Sequence, residues 1–233
     1  MSDEHSFQDF DPNGSRQADQ TRYPGEAVNV LYDRRRCMHA QECGRASRAV
    51  FDGRRNPWID PDQAALEELK QIVWRCPTGA LQLESKDGQI LEPAPPARNT
   101  IVVSPDGPLY IRGQVVVDEP QRRGRIQQQM ALCRCGASRN KPYCDNTHVR
   151  LRFRDAGPVS ADPGPDPGEG LLTVKVYDGG PLEVAGPVTL MSASGRPAKT
   201  DSPMWLCRCG NSKNRPFCDG SHTSEGFRSI DKD

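Results

Sequence analysis

The chain has 233 residues, of which 35% are hydrophobic and 6% aromatic, with 21 glycines and 21 prolines. Its 31 basic and 31 acidic residues balance, so no overall field favours nucleic acid or an anionic membrane as a partner. No apolar run reaches the length of a membrane span, and the first residues lack the pattern of a secretory signal. The nine cysteines therefore predict a reducing, cytoplasmic location, where clustered thiols bind metal more often than they oxidise.

The first part of the chain predicts a leader followed by a small domain. Residues 1–26 are polar and predict a flexible leader, and residues 27–92 predict a domain of mixed helix and strand. Asp60 and Pro61 are a suitable cap and first residue for its second helix. The predicted order is strand, helix, helix and strand, at 28–32, 42–51, 61–74 and 81–83.

Three cysteines of this domain are candidate ligands of an iron–sulfur cluster. Cys37 and Cys43 lie six residues apart, and Cys76 is followed by proline. Bacterial ferredoxins use three close cysteines spaced C-x2-C-x2-C and a remote Cys-Pro. Here Ala40 occupies the middle position, and three thiolates are what a [3Fe-4S] cluster needs. The stretch 37–81 thus resembles single-cluster ferredoxins, and we predict [3Fe-4S].

Two alternatives stay open for this domain. A [4Fe-4S] cluster could bind with water or His39 as its fourth ligand. The three cysteines could also be buried structural residues that behave as small hydrophobes. The neighbouring Arg34, Arg35 and Arg36 predict a solvated basic edge, with a docking patch for an acidic redox partner as the alternative.

The rest of the chain predicts two similar modules after a proline-rich joint. We place them at residues 98–155 and 170–233, separated by a linker rich in glycine and proline. Gly107-Pro-Leu and Gly180-Pro-Leu correspond at an offset of 73 residues, so the repeat includes more than its metal ligands. The predicted strands lie at 101–103 and 110–117, and at 171–177 and 182–190.

The strongest pattern is a set of three cysteines and one histidine that occurs twice, in the order C-x-C-x8-C-x3-H. The second copy follows the first by 74 residues without a gap, giving Cys133, Cys135, Cys144 and His148, then Cys207, Cys209, Cys218 and His222. Such donors suit zinc or an iron–sulfur cluster. Structural zinc sites usually separate paired cysteines by two to four residues, so C-x-C favours a two-iron cluster, and zinc stays an alternative. A disulfide within C-x-C would close a strained ring.

Both copies resemble the CDGSH iron–sulfur family, the mitoNEET-type proteins. The second copy matches the pattern C-x-C-x2-S-x3-P-x-C-D-G-S-H throughout, whereas the first has Asn146 and Thr147 in place of Gly and Ser. Asn tolerates the left-handed backbone better than most residues, so we expect the turn to form. The resemblance implies one [2Fe-2S] cluster per copy, held by three Cys and one His. It also implies that the modules pair as an internal pseudo-dimer, which predicts a monomer.

The predicted fold class is α+β, with a small ferredoxin-like domain followed by two β-rich modules. The leading functional hypothesis is an electron carrier with three clusters, acting with redox partner proteins. The second is an iron–sulfur transfer, storage or sensor protein with labile His-ligated clusters and apo-protein acceptors. The third is a structural protein with zinc at both motifs. No nucleophile–base pair or phosphate loop is visible, so we expect no enzyme activity.

Overall fold

The computed structural model describes residues 20–119, 124–159, 164–200 and 202–229. Its N-terminal domain contains a four-stranded antiparallel sheet, ordered β1 to β4: Gln20–Tyr23, Asn29–Asp33, Leu81–Glu84 and Ile90–Leu91. Residues 20–23 were predicted to be part of a leader, but they pair with β2. That part of the leader prediction is wrong, and residues 1–19 lie outside the described residues.

The helices of this domain are shorter than predicted. Helix α1 covers Glu42–Ala46 and α2 covers Leu66–Trp74, with a 3-10 turn at Pro61–Gln63. The Asp60 side chain accepts a hydrogen bond from the Asp62 amide, so the predicted cap begins the 3-10 turn instead of α2. The domain has a core of its own, in which buried side chains of α2 pack with those of the sheet.

The two modules form one eight-stranded sheet instead of two separate ones. The strand order is β11-β10-β5-β6-β8-β9-β12, and β7 pairs with β6. The bounds of β5 to β12 are Thr100–Val103, Leu109–Asp118, Gln127–Leu132, Leu172–Val176, Leu182–Ala185, Thr189–Met191, Pro197–Lys199 and Met204–Leu206. Helices α3 and α4, at Thr147–Arg150 and Ser221–Ser224, are one turn each.

The predicted strand 182–190 is in fact two strands. Between β9 and β10, Gly186 has φ +114°, and a Cβ there would lie 2.5 Å from the carbonyl oxygen of Leu171. The break sends the two strands to different partners, because β9 pairs with β8 and β12 whereas β10 pairs with β5 and β11. Strands β4, β7, β11 and β12 were not predicted.

Parallel pairing joins the modules twice. Strand β6 of the first module runs parallel to β8 of the second, and β10 of the second runs parallel to β5 of the first. One hydrophobic cluster contains buried residues of both, including Ile101, Leu109, Leu172 and Leu190. The two modules therefore share a single core.

Buried polar contacts join the N-terminal domain to the first module. Arg36 is 3% exposed, and its Nη2 donates to the carbonyl oxygens of Thr78 and Gln129, both at 2.9 Å. Arg35 donates to Glu119 at 2.8 Å and to the Lys141 carbonyl oxygen at 2.9 Å. The prediction of a solvated basic edge, and its docking-patch alternative, are wrong for these two arginines because they lie in an internal interface. Of the helices described, none has the length and apolar character required to cross a bilayer.

Candidate metal centres

The first site, as we call it, consists of Cys133, Cys135, Cys144 and His148. Cys133 follows the end of β7, and the Cys144 amide donates to the carbonyl oxygen of Ala131 at 2.9 Å. His148 lies on α3. The Sγ atoms of Cys133 and Cys135 are 3.8 Å apart, and Cys144 Sγ lies 3.4 Å from His148 Nδ1. All four predicted ligands of this copy therefore lie on one strand end and the turns beside it.

The second site repeats this geometry with Cys207, Cys209, Cys218 and His222. Cys207 follows β12, and the Cys218 amide donates to the carbonyl oxygen of Trp205 at 2.8 Å. The Sγ atoms of Cys207 and Cys209 are 3.7 Å apart, and Cys218 Sγ lies 3.4 Å from His222 Nδ1. The repeat in the sequence is thus a repeat in donor geometry.

In both sites the donors form two close pairs. Across the described part of the chain, no three His, Cys, Asp or Glu side chains gather so that they could hold one metal ion. A structural zinc site needs four donors around a single ion, whereas a two-iron cluster takes two donors on each iron. The donors suit zinc or an iron–sulfur cluster, and in each site they lie as one cysteine–cysteine pair and one cysteine–histidine pair.

The turn before each histidine is preserved in both copies. Asn146 has φ +70° and Gly220 has φ +89°, so asparagine adopts the left-handed conformation at the position where the second copy has glycine, as predicted. The Asp145 carboxylate accepts hydrogen bonds from the amides of Thr147 and Arg139, both at 3.0 Å. Asp219 accepts the equivalent pair of bonds.

Burial and thiol–thiol contacts shift the protonation of the ligands. The hydrogen bond with Cys135 lowers the pKa of Cys133 to about 6, and the bond with Cys209 does the same for Cys207. Burial raises the pKa of Cys144 to about 12 and lowers the pKa of His148. A bound cation favours the thiolates, so metal binding to this site releases protons.

An arginine between the paired cysteines is a structural residue that the sequence analysis missed. Arg134 is 1% exposed and donates to the carbonyl oxygens of Ser104 and Gly107 at 2.6 and 2.9 Å. The Arg134 guanidinium lies 5.2 Å from the centroid of an aromatic ring. The guanidinium of Arg208, which is also 1% exposed, lies 5.1 Å from the centroid of the equivalent ring. The rings belong to Phe153 and Phe227, five residues after each histidine. The sequence signal that could have predicted this structural role is the recurrence, in both modules, of arginine between the paired cysteines and of phenylalanine five residues after the histidine.

The two arginines differ in their counter-charge. Arg134 Nη1 lies 2.9 Å from Asp155 Oδ1, whereas the equivalent position beside Arg208 is Ser229, whose Oγ accepts a hydrogen bond from Arg208 Nη2 at 2.6 Å. Among the described residues, Nη1 of both arginines is buried without a hydrogen-bond partner, although that of Arg134 lies within ion-pair distance of Asp155. The first site therefore has a buried carboxylate next to its arginine, and the second does not.

Three cysteines of the N-terminal domain line one pocket: Cys37, Cys43 and Cys76. We call them the N-terminal site. Ala40 and His39 line the same pocket. His39 Nδ1 lies 3.9 Å from Cys37 Sγ, and the His39 amide donates to that sulfur at 3.4 Å. Burial raises the pKa values of Cys37 and Cys43. The structure thus brings together the three cysteines that the spacing predicted, with alanine where a fourth cysteine would stand in a ferredoxin.

The sites differ in exposure. Cys144 and His148 are 2% and 8% exposed, whereas Cys218 and His222 are only half-buried. The cysteine–histidine pair of the first site is therefore buried, whereas that of the second site is partly exposed.

Known protein families match the N-terminal domain and both modules. The family described as iron-binding zinc finger, CDGSH type, matches residues 106–149 and 179–223. The chain contains two CDGSH-type iron-binding domains in tandem. The family described as a divergent 4Fe-4S mono-cluster matches residues 23–86, so the chain also carries a divergent iron–sulfur domain. The predicted combination of a tandem CDGSH pair with a divergent single-cluster domain is confirmed.

Two curated proteins are similar in sequence to part of the chain. The uncharacterized protein YjdI of Escherichia coli K12 is 33% identical over 64 residues, which cover 28% of this chain and 84% of the relative. The YjdI protein of Escherichia coli O157:H7 matches to the same extent. No solved structure matches the chain. Binding of iron–sulfur clusters follows from the family matches.

Proposed function

We propose that this iron–sulfur protein is an electron carrier with two [2Fe-2S] clusters and one [3Fe-4S] cluster. The observation that carries the proposal is the arrangement of the donors in two close pairs at the first and second sites, with separations of 3.4–3.8 Å. Clusters of this type supply reversible one-electron couples, and histidine in place of cysteine raises their potentials.

The chain's own residues hold and shield these groups. Three cysteines and one histidine bind at each CDGSH-type site, and Arg134 and Arg208 fix the C-R-C segments to neighbouring carbonyl oxygens. Asp145 and Asp219 hold the turns that present the histidines. A rigid set of ligands favours electron transfer, because little needs to move when the charge changes.

The donor set of the N-terminal site supports [3Fe-4S]. Three thiols line the pocket, and the place of a fourth is taken by Ala40. The matching family is described as a 4Fe-4S mono-cluster family, so a fourth ligand from His39 or water is the competing arrangement. Iron and sulfide analysis separates the two, together with the electron paramagnetic resonance (EPR) signal of an oxidised three-iron cluster.

The two modules also support a monomeric pseudo-twofold arrangement. They share one core and one sheet, and the C-R-C segments meet reciprocally. A Cβ on Gly136 would lie 2.2 Å from the Cys209 carbonyl oxygen, and one on Gly210 would lie 2.7 Å from that of Cys135. We propose that this contact replaces the pairing of two identical chains. Sedimentation of the holo-protein as a single chain is expected.

Electron carriage is tested on anaerobically reconstituted protein. We expect visible absorption above 400 nm, about seven irons per chain, and rapid reoxidation of the reduced protein by cytochrome c as a one-electron acceptor. Protein that folds without iron, or that holds all clusters yet exchanges no electrons with this acceptor or other small redox proteins, would contradict the proposal.

Cluster transfer from the second site is a second candidate function. It is favoured by the half-buried Cys218 and His222, in contrast to the buried pair at the first site. Mixing holo-protein with an apo-ferredoxin tests it. Prompt appearance of the ferredoxin spectrum, with loss of about two irons per chain, supports transfer, whereas an unchanged spectrum supports electron carriage alone.

A further inference from the structure

The cysteine loop of the N-terminal site ends against a ligand of the first site. Met38, which follows Cys37, is 5% exposed and forms one buried cluster with Ala131 and Cys144. The Tyr110 hydroxyl lies 3.7 Å from Met38 Sδ, and Tyr110 packs against the same cluster. Side chains from the two sites are therefore in continuous contact.

The second loop of the N-terminal site is also fixed to the first module. Gln129 lies on β7, the strand that leads to Cys133, and its Nε2 donates to the Cys76 carbonyl oxygen at 2.6 Å. Arg36 binds the carbonyl oxygens of Thr78 and Gln129 from the same interface. Both cysteine loops of the N-terminal site are thus held against the strand that supplies the first site.

The second site reaches the rest of the protein through the first. The carbonyl oxygens of Cys135 and Cys209 lie against Gly210 and Gly136, so the two C-R-C segments touch. Hydrogen bonds, an ion pair and a buried cluster connect the N-terminal domain to the first module. The contacts place the three sites in the order N-terminal, first, second.

We propose, building on the electron-carrier function, that the first site is the obligatory intermediate between the other two and that Met38 forms its connection to the N-terminal site. Cys37, Cys43 and Cys76 would hold the electron donor, the residues of the first site the intermediate, and those of the second site the final acceptor. The bound clusters would supply one-electron couples, so that each electron lost by the donor would be gained by the next site. No bond is made or broken and no proton is needed. The first site, whose Cys144 and His148 are buried, is an internal relay, and the second site, whose Cys218 and His222 are half-buried, exchanges electrons with partners.

The spatial order is tested by spin coupling in the holo-protein. In partly reduced wild-type protein, we expect the N-terminal cluster to broaden the EPR signal of the first site and to speed its spin relaxation. Both effects should be larger than those on the EPR signal of the second site. The coupling should persist when Cys218→Ala and His222→Ala remove the second site. It should vanish when Cys144→Ala and His148→Ala remove the first. In wild-type protein, stronger coupling of the N-terminal cluster to the second site than to the first would by itself overturn the proposed order.

The route is tested by the rate of internal transfer after a light flash that reduces the N-terminal cluster. Met38→Ala should slow transfer to the second site by about tenfold, because the void removes contact atoms between the sites. Met38→Leu, which refills the space, should restore the wild-type rate. Potentials of the three clusters should be unchanged in both variants. Equal rates in Met38→Ala and wild-type protein would overturn the role of Met38. This outcome is distinct from failure of the electron-carrier proposal, which is tested by cluster content and electron exchange with cytochrome c.

Discussion

Asp155 Oδ1 lies 2.9 Å from Arg134 Nη1, and the two side chains are 4% and 0% exposed. Asp155 also pairs with Arg215 of the second module, and Arg215 Nη1 donates to the Gly210 carbonyl oxygen at 2.9 Å. A single buried carboxylate therefore connects the C-R-C segment of the first site with the loop of the second.

Replacement of Asp155 by asparagine should destabilise the protein strongly. It leaves the buried Arg134 guanidinium without its counter-charge, a loss that typically costs about 3–5 kcal/mol. The matched control is Ser229→Ala, at the equivalent position of the second module, which removes the hydrogen bond from Arg208 together with the one from the Gly179 amide and the one to the Tyr177 carbonyl oxygen and should cost about 1–2 kcal/mol. Urea unfolding of the two holo-variants measures the difference. A cost for Asp155→Asn no larger than that for Ser229→Ala would argue against the ion pair.

The contribution of Asp155 should depend on pH in one direction. Burial alone would raise its pKa, but hydrogen bonds from Arg134 and the Gly157 amide outweigh burial and hold the pKa below the usual value of 3.8. The stabilisation is therefore fully present above the pKa of the unfolded chain and is lost as the pH falls through the folded pKa. The stability gap between wild-type protein and Asp155→Asn should be constant from about pH 7 to 5 and shrink below about pH 4. A gap that widens on acidification would contradict this assignment.

Contact between the C-R-C segments should make Gly136 sensitive to a methyl group. Gly136 has φ +81°, and its Cβ would meet the Cys209 carbonyl oxygen at 2.2 Å. The control is Gly168→Ala, where φ is +78° but no atom lies within 4 Å. Both variants carry the backbone strain of about 1–2 kcal/mol, and Gly136→Ala should lose about 1–3 kcal/mol more through overpacking. Equal melting temperatures for the two holo-variants would mean that the segments do not touch.

A cysteine at position 40 should complete the ligand set of the N-terminal site. Ala40 lines the pocket with the three thiols, so Ala40→Cys should bind about one iron more per chain and lose the EPR signal of an oxidised three-iron cluster. The exposed Ala49, which does not line that pocket, provides the control Ala49→Cys with unchanged iron content. If wild-type protein already contains a four-iron cluster at this site, Ala40→Cys would leave the iron content unchanged and the [3Fe-4S] prediction would be wrong.

The histidine ligands should keep the potentials of the CDGSH-type clusters high. His222→Cys replaces a neutral donor by an anionic thiolate and should lower the potential of the second cluster by roughly 100 mV or more. The first cluster should change little, and His148→Cys should produce the converse pattern. Redox titration followed by EPR measures both. A shift of the same size in both clusters from His222→Cys would indicate that the sites are not independently ligated.

Local sequence spacing predicted candidate ligands for all three sites. The structure places those of the first and second sites in close pairs and the three N-terminal cysteines along one pocket. The sequence also predicted the left-handed turn at Asn146. The donors of the first and of the second site lie within sixteen positions of each other, so a local motif encodes them, whereas Cys76 of the N-terminal site lies 33 positions after Cys43. The helix at 42–51 and the strand at 182–190 were overextended, since nearby prolines, glycines and partner strands decide where an element ends.

Only the tertiary structure decided how the three sites are joined. The burial of Arg36 and Arg134, the parallel pairings of β6 with β8 and β10 with β5, and the contact of Met38 with the first site all link residues far apart in the chain. The sequence alone predicted which atoms are candidates to bind iron, because the residue types and spacing of cysteines and histidines can be read without the fold. The order of the sites depends on which surfaces bury each other, and that is settled only when distant strands pair and exclude water.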